Sequence, residues 1–147
     1  MVTLEWLAGN DPRMAEVSDL RQHVLFEPFG IPRLDQWNDM DPASHHLVAF
    51  KDGRAVAYAR LIELQDDTPQ VRQVAVEPEL QRSGVGTALM REVARRAQEM
   101  GFQRIHLYAR VSAEAFYLRL GWITVSDDPF PYGRTGVPHV RMELPPG

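Results

Sequence analysis

Two glycines placed where a strand gives way to a helix are the first residues in this chain whose spacing could do chemistry. In Val74-Ala75-Val76-Glu77-Pro78-Glu79-Leu80-Gln81-Arg82-Ser83-Gly84-Val85-Gly86-Thr87, a valine-rich run stops at Pro78 and an amphipathic run begins at Gly84. The first turn of a helix carries backbone N–H groups without intrahelical acceptors and the positive end of the helix dipole. Glycines let a ligand approach that backbone, and Arg82 with the Ser83 and Thr87 hydroxyls adds donors. Such a site suits a phosphate or pyrophosphate. The pair lacks the third glycine of a dinucleotide fingerprint, and no Gly-Lys-Ser/Thr follows as in a nucleotide P-loop. Taken alone, a Gly-x-Gly at a helix start is equally an ordinary turn.

The elements that must position this loop are legible on either side. Residues 46–50 and 54–64 are β-rich runs joined by Lys51-Asp52-Gly53, a pattern that favours a tight hairpin. Val71, Val74 and Val76 imply the strand that enters the loop. Val85, Leu89, Val93, Ala97 and Met100 then form one apolar face of a helix over 84–100, closed by Gly101. A strand over 104–109 follows, then a short helix capped by Ser112 and ended by Gly121. Two last strands are expected at 122–125 and 139–144. Upstream, Asp11 and Pro12 can open a helix carrying Met14, Val17, Leu20 and Val24, stopped by Pro28 and Gly30. Residues 28–44 read as a long ordered loop near a site. The order is mixed α and β with a strand-helix-strand unit at the centre.

In this setting the loop resembles the GCN5-related N-acetyltransferase (GNAT) superfamily, whose motif Gln/Arg-x-x-Gly-x-Gly/Ala is met by Gln81, Gly84 and Gly86. Ser112-Ala113-Glu114-Ala115-Phe116-Tyr117-Leu118-Arg119-Leu120-Gly121-Trp122 looks like the later motif of the same family. Leu20-Arg21-x-x-Val24, residues 41–46 and Val137-Pro138-His139-Val140-Arg141-Met142 resemble its ElaA-like branch, so the likeness spans nearly the whole chain. It implies a single α/β (α+β) domain over 1–147: a mixed, mostly antiparallel twisted sheet flanked by helices. The two central strands are expected to splay and admit the cofactor.

The resemblance further implies transfer of an acetyl group from acetyl-coenzyme A to a primary amine by direct attack, without an acyl-enzyme. The pyrophosphate would rest on Gln81, Arg82, Ser83, Gly84, Val85, Gly86 and Thr87. A backbone N–H of Val74, Ala75 or Val76 would hold the developing oxyanion. Tyr117 would protonate the departing thiolate, with Phe116 beside it against the cofactor or in the core. Relatives often place an asparagine near the start of this short helix; Ala109, Arg110 and Val111 stand here, and Arg110 is the candidate replacement. For the base that deprotonates the amine, Glu63 comes first, then His46 and His139. Glu63 can also be read as a solvated strand carboxylate.

Asp35, Asp39, Asp41, Glu63, Asp66 and Asp67 could form an acidic lip for a cationic amine, or could simply solvate loops. Trp37 and residues 26–29 could wall an acceptor pocket or belong to the core. The histidines show no metal-ligand spacing, so no metal is expected. With 16 basic and 20 acidic residues among 147, the net charge of −4 makes nucleic acid a poor partner. Cysteine is absent, and neither a signal peptide nor an apolar run of spanning length is seen, so a cytoplasmic protein away from membranes is expected. Monomer and homodimer both remain open. A non-catalytic acyl-coenzyme A sensor is the alternative function.

Overall fold

The structure, a computed structural model, describes residues 1–33 and 37–146. Eight strands form one sheet: β1 (Val2–Leu7), β2 (Ser44–Lys51), β3 (Arg54–Ile62), β4 (Gln70–Val76), β5 (Ile105–Arg110), β6 (Ile123–Thr124), β7 (Phe130–Pro131) and β8 (Pro138–Leu144). Their spatial order is β1-β2-β3-β4-β5-β8-β6, with β7 also on β8. Among the described residues only β4 and β5 run parallel; every other neighbouring pair is antiparallel. The β2–β3 hairpin turns through Asp52 and Gly53 with φ of 53° and 74°, the paired left-handed residues a two-residue turn needs.

Strand alternation assigns each residue to one of two cores. Leu47, Ala49, Ala57, Leu61 and Val71 face α2 (Val85–Glu99), meeting its Val85, Leu89, Met90, Val93 and Ala97. Val48, Phe50, Tyr58 and Ala75 face the opposite way, onto Met14, Val17 and Leu20 of α1 (Met14–Arg21). The chain leaves α1 through a π-helical turn (Gln22–Phe26) and a 3-10 turn (Glu27–Phe29). A short α3 (Glu114–Arg119) packs its Phe116 and Tyr117 into the α2-side core. No helix among the described residues is long and apolar enough to cross a membrane.

Several boundaries differ from the sequence expectations. Asp11 does not cap a helix; its carboxylate accepts the Arg13 N–H (2.9 Å), the local turn that Asp side chains favour, and α1 starts only at Met14. Ser112 lies in a 3-10 turn (Val111–Ala113) and caps nothing; α3 begins at Glu114 without a side-chain cap. β3 ends at Ile62, so Glu63 falls just beyond the strand, its N–H bonded to the Ala43 carbonyl (2.9 Å). β1 and the two-residue β7 are elements the sequence did not announce.

Candidate active site

A cleft opens where β4 and β5 part. Their ladder holds only Gln70↔His106 and Val71↔Leu107, after which residues 72–76 and 108–110 run on without pairing to one another. β4 is also irregular on its other side. Tyr58↔Ala75 and Arg60↔Arg72 leave Gln73 and Val74 opposite Ala59, and Gln73 takes a φ of 56°. This bulge turns backbone groups out of the ladder at mid-cleft.

At the open end, β4 leads into the glycine loop. Gln81 Nε2 donates to the Val76 carbonyl (3.2 Å), Ser83 Oγ donates to the Leu80 carbonyl, and Arg82 is exposed at a φ of 68°. Gly84, with a φ of 93°, swings the chain into α2. The Ala88 N–H bonds to the Gly84 carbonyl (3.0 Å), leaving the amides of Val85, Gly86 and Thr87 as the free first turn. The two glycines serve different ends. A Cβ on Gly84 would meet nothing within 4 Å, so its backbone angle is what demands glycine. A Cβ on Gly86 would stand 3.3 Å from Phe116 Cζ, so its missing side chain is what lets α3 close against α2.

Phe116 thereby ties the loop to Tyr117. The two rings meet edge-on at 5.0 Å, and Tyr117 meets Trp122 at 5.9 Å. Tyr117 is 7% exposed, and burial alone pushes its phenol pKa up. No charge or hydrogen bond opposes that shift, so the hydroxyl keeps its proton at neutral pH.

Behind the bulge lies a buried polar network that sequence reading missed. Arg21, fully buried, grips Asp39 through both terminal nitrogens (2.9 and 2.7 Å) and donates to Gln73 Oε1 (2.8 Å). Arg60 donates to Asp39 Oδ1 (3.1 Å) and to the carbonyls of Trp37 and Asn38 (both 2.6 Å). His46 Nε2 donates to the Asp39 carbonyl (2.9 Å), so its Nδ1 accepts from the Tyr58 hydroxyl (2.7 Å). Burial lowers the His46 pKa and keeps the ring neutral. The Gln73 side chain anchors the bulge to this network.

The structure separates the base candidates. His46 is 1% exposed with both nitrogens engaged. Glu63 accepts from His45 Nε2 (2.8 Å) past the closed end of the cleft. With Ile62 opposite Gln70, it stands about 13 Å of strand before the bulge. His139 lies on β8 opposite Arg110, beside the open end. Its Nδ1 donates to the Val137 carbonyl (2.7 Å), which leaves the lone pair on Nε2. Arg110 donates to the Leu25 carbonyl (3.1 Å) and lies 4.6 Å over the Phe29 ring. Phe26 and Trp37 stack at 5.6 Å beside it.

Among the described residues, several of the acids expected at a lip are engaged. Asp39 is held by two arginines, Asp67 by Arg141 in a two-pronged pair (both 2.9 Å), and Asp41 accepts the Ala43 N–H (2.9 Å). Asp35 lies outside the described residues. Among the described residues no cluster of three or more His, Asp or Glu is arranged to hold a metal ion.

A sheet parted between its one parallel pair, with a glycine-rich helix start at the opening, defines an acyl-coenzyme A-type transferase fold. The chain belongs to the acetyltransferase (GNAT) family, whose pattern matches residues 14–122. It is 23% identical over 136 residues to the uncharacterized N-acetyltransferase YjcF of Bacillus subtilis, covering 92% of this chain and 95% of that protein. Escherichia coli ElaA superposes with a TM-score of 0.82 at 24% identity, over 97% of this chain and 99% of ElaA. ElaA is one of several structures that fit about equally well. An aminoglycoside 6'-N-acetyltransferase complexed with coenzyme A superposes with a TM-score of 0.79 at 18% identity, over 96% of this chain and 95% of that one.

Proposed function

We propose that this acetyltransferase moves an acetyl group from acetyl-coenzyme A to a primary amine by direct attack. The observation that carries the reading is the parting of β4 from β5 beside the free first turn of α2, with Tyr117 and Phe116 packed at that turn. Acetyl-coenzyme A, when bound, supplies the acyl group as a thioester. The amides of Val85, Gly86 and Thr87, with Arg82 and Ser83 at the rim, receive the pyrophosphate. Gln81 holds the loop to Val76. The bulge at Gln73 and Val74 offers backbone N–H groups of Val74, Ala75 or Val76 to the acyl oxygen. Tyr117 keeps a proton for the departing sulfur.

His139 takes the place first given to Glu63 as the group that receives the ammonium proton. Its Nδ1 is bonded to the Val137 carbonyl, which leaves a lone pair on Nε2, and it sits on β8 opposite Arg110, whereas Glu63 is committed to His45. Calorimetric titration with acetyl-coenzyme A, with NAD as control ligand, tests the reading. Micromolar binding of acetyl-coenzyme A alone supports it; a folded protein that binds neither acetyl-coenzyme A nor longer acyl-coenzyme A thioesters refutes it.

A further inference from the structure

The α1-side face of the cleft carries three arginines without a carboxylate partner. Val71, Leu107 and Ala109 are committed to the α2 core, so their alternates Gln70 and Arg72 on β4, and Tyr108 and Arg110 on β5, face the other way. Arg72 is exposed and lies opposite buried Arg60, immediately before the bulge. Arg110 is half-buried over Phe29. Arg134, from the segment between β7 and β8, lies 5.8 Å over Phe26, so two arginines reach across to the aromatic rim made by residues 26–29. Arg72 stands on β4, across the parted strands from Arg110 on β5.

Among the described residues, none of these three guanidinium groups has a carboxylate at ion-pair distance. The nearby acids are engaged elsewhere. Asp39 serves Arg21 and Arg60, Asp67 serves Arg141, and Glu27 and Glu77 lie nearest to His23 (3.4 and 3.9 Å), away from ion-pair distance to any of the three. Half-buried arginine normally keeps an anionic partner, and burial here pulls the Arg110 pKa down without one. A chain with a net charge of −4 that leaves three arginines unpaired around one opening sets a local positive field there.

We infer that the acceptor is a small primary amine bearing an anionic oxygen group, carboxylate or phosphate, seated by Arg72, Arg110 and Arg134. This rests on the acetyl-transfer reading and narrows it. It replaces the cationic acceptor that an acidic lip would have served. Guanidinium forks match either oxyanion in two-pronged fashion.

The test compares four amines of similar reach with acetyl-coenzyme A as donor: 4-aminobutyrate, 3-aminopropyl phosphate, butylamine and 1,4-diaminobutane. The expected result is a kcat/KM for one or both anionic amines at least about tenfold above the other two. Which of the two anions wins separates carboxylate from phosphate. In Arg72→Gln and Arg134→Gln, each folded by circular dichroism, the ratio of anionic to neutral acceptor should collapse toward one, mainly through KM. A preference for butylamine or 1,4-diaminobutane overturns the inference, as does a ratio that survives both substitutions. Binding of acetyl-coenzyme A with no turnover of either anionic amine also overturns it while sparing the cofactor assignment. Loss of acetyl-coenzyme A binding itself removes the acetyl-transfer reading, and the inference with it.

Discussion

Gly86 and Phe116 are in contact across the two motifs of the chain: a Cβ added to Gly86 would fall 3.3 Å from Phe116 Cζ and 3.8 Å from Val76 Cγ2. The helix start, the strand end and α3 therefore meet at a point where even a methyl group on α2 would press on the Phe116 ring. Gly86→Leu should destabilise the fold by about 1–3 kcal/mol through overpacking. It should also abolish acetyl-coenzyme A binding in whatever remains folded. Urea unfolding and calorimetry on the same sample read both effects, and a variant that binds normally would contradict the assignment of this turn.

Gly84 makes the opposite demand. Space around it is open, yet its φ of 93° is unfavourable for any L side chain. Gly84→Ala should cost about 1–2 kcal/mol from the backbone alone. A shift of the urea midpoint with an unchanged slope is the expected signature.

Tyr117→Phe removes a buried hydroxyl on which no hydrogen bond acts, so stability should hold to within about 0.5 kcal/mol. If the phenol protonates the leaving sulfur, kcat should fall about a hundredfold or more while acetyl-coenzyme A affinity stays put. An unaltered kcat would remove Tyr117 from the chemistry.

Asp39 is the one carboxylate shared by the buried guanidinium groups of Arg21 and Arg60. Asp39→Ala would leave two buried cations facing each other and should cost about 3–5 kcal/mol. Urea unfolding measures it directly. A loss below about 1 kcal/mol would show that water enters the network freely.

The pH dependence has a marker in Glu92. Arg95 bonds its carboxylate and Trp6 Nε1 donates to it (2.7 Å), holding its pKa down at about 2 against an ordinary 4.5. A depressed folded pKa means the stabilisation is complete above about 4.5 and disappears as pH falls through about 2. The stability gap between the native chain and Glu92→Gln should therefore narrow steadily from pH 5 to pH 2.5. A gap that is constant over that range would contradict the pairing.

The parts of this molecule that sequence revealed are those encoded by neighbours in the chain. Asp52-Gly53 predicts the hairpin because the turn angles belong to those two residues, and α2 shows itself by its own apolar stripe. The splayed strands followed from the family resemblance, since nothing local to residues 70–76 announces that pairing stops after Val71. β1 escaped notice because it is an edge strand with only Leu7 fully buried, so it shows no alternation. Arg21 enters the sequence reading only through the Leu20-Arg21-x-x-Val24 resemblance, with nothing local to mark it as buried. It is buried by partners at positions 37, 39, 58 and 73, and no window around residue 21 contains them. Glu63 falls beyond β3 and beside His45 for a similar reason: where β3 stops is decided by its register with β4.

Among the described residues, β1–β4 join the β5–β8 half of the sheet through the two rungs between β4 and β5 and the adjoining bond from the His106 N–H to the Pro69 carbonyl. Mechanically that is a seam stitched at one end, with α2 and its core as the backing cloth. A ligand lodged in the parted end replaces the missing stitches with its own contacts to both sides. Occupancy then becomes a structural strut, and slowed amide exchange on β4 and β5 together would register the strut being set.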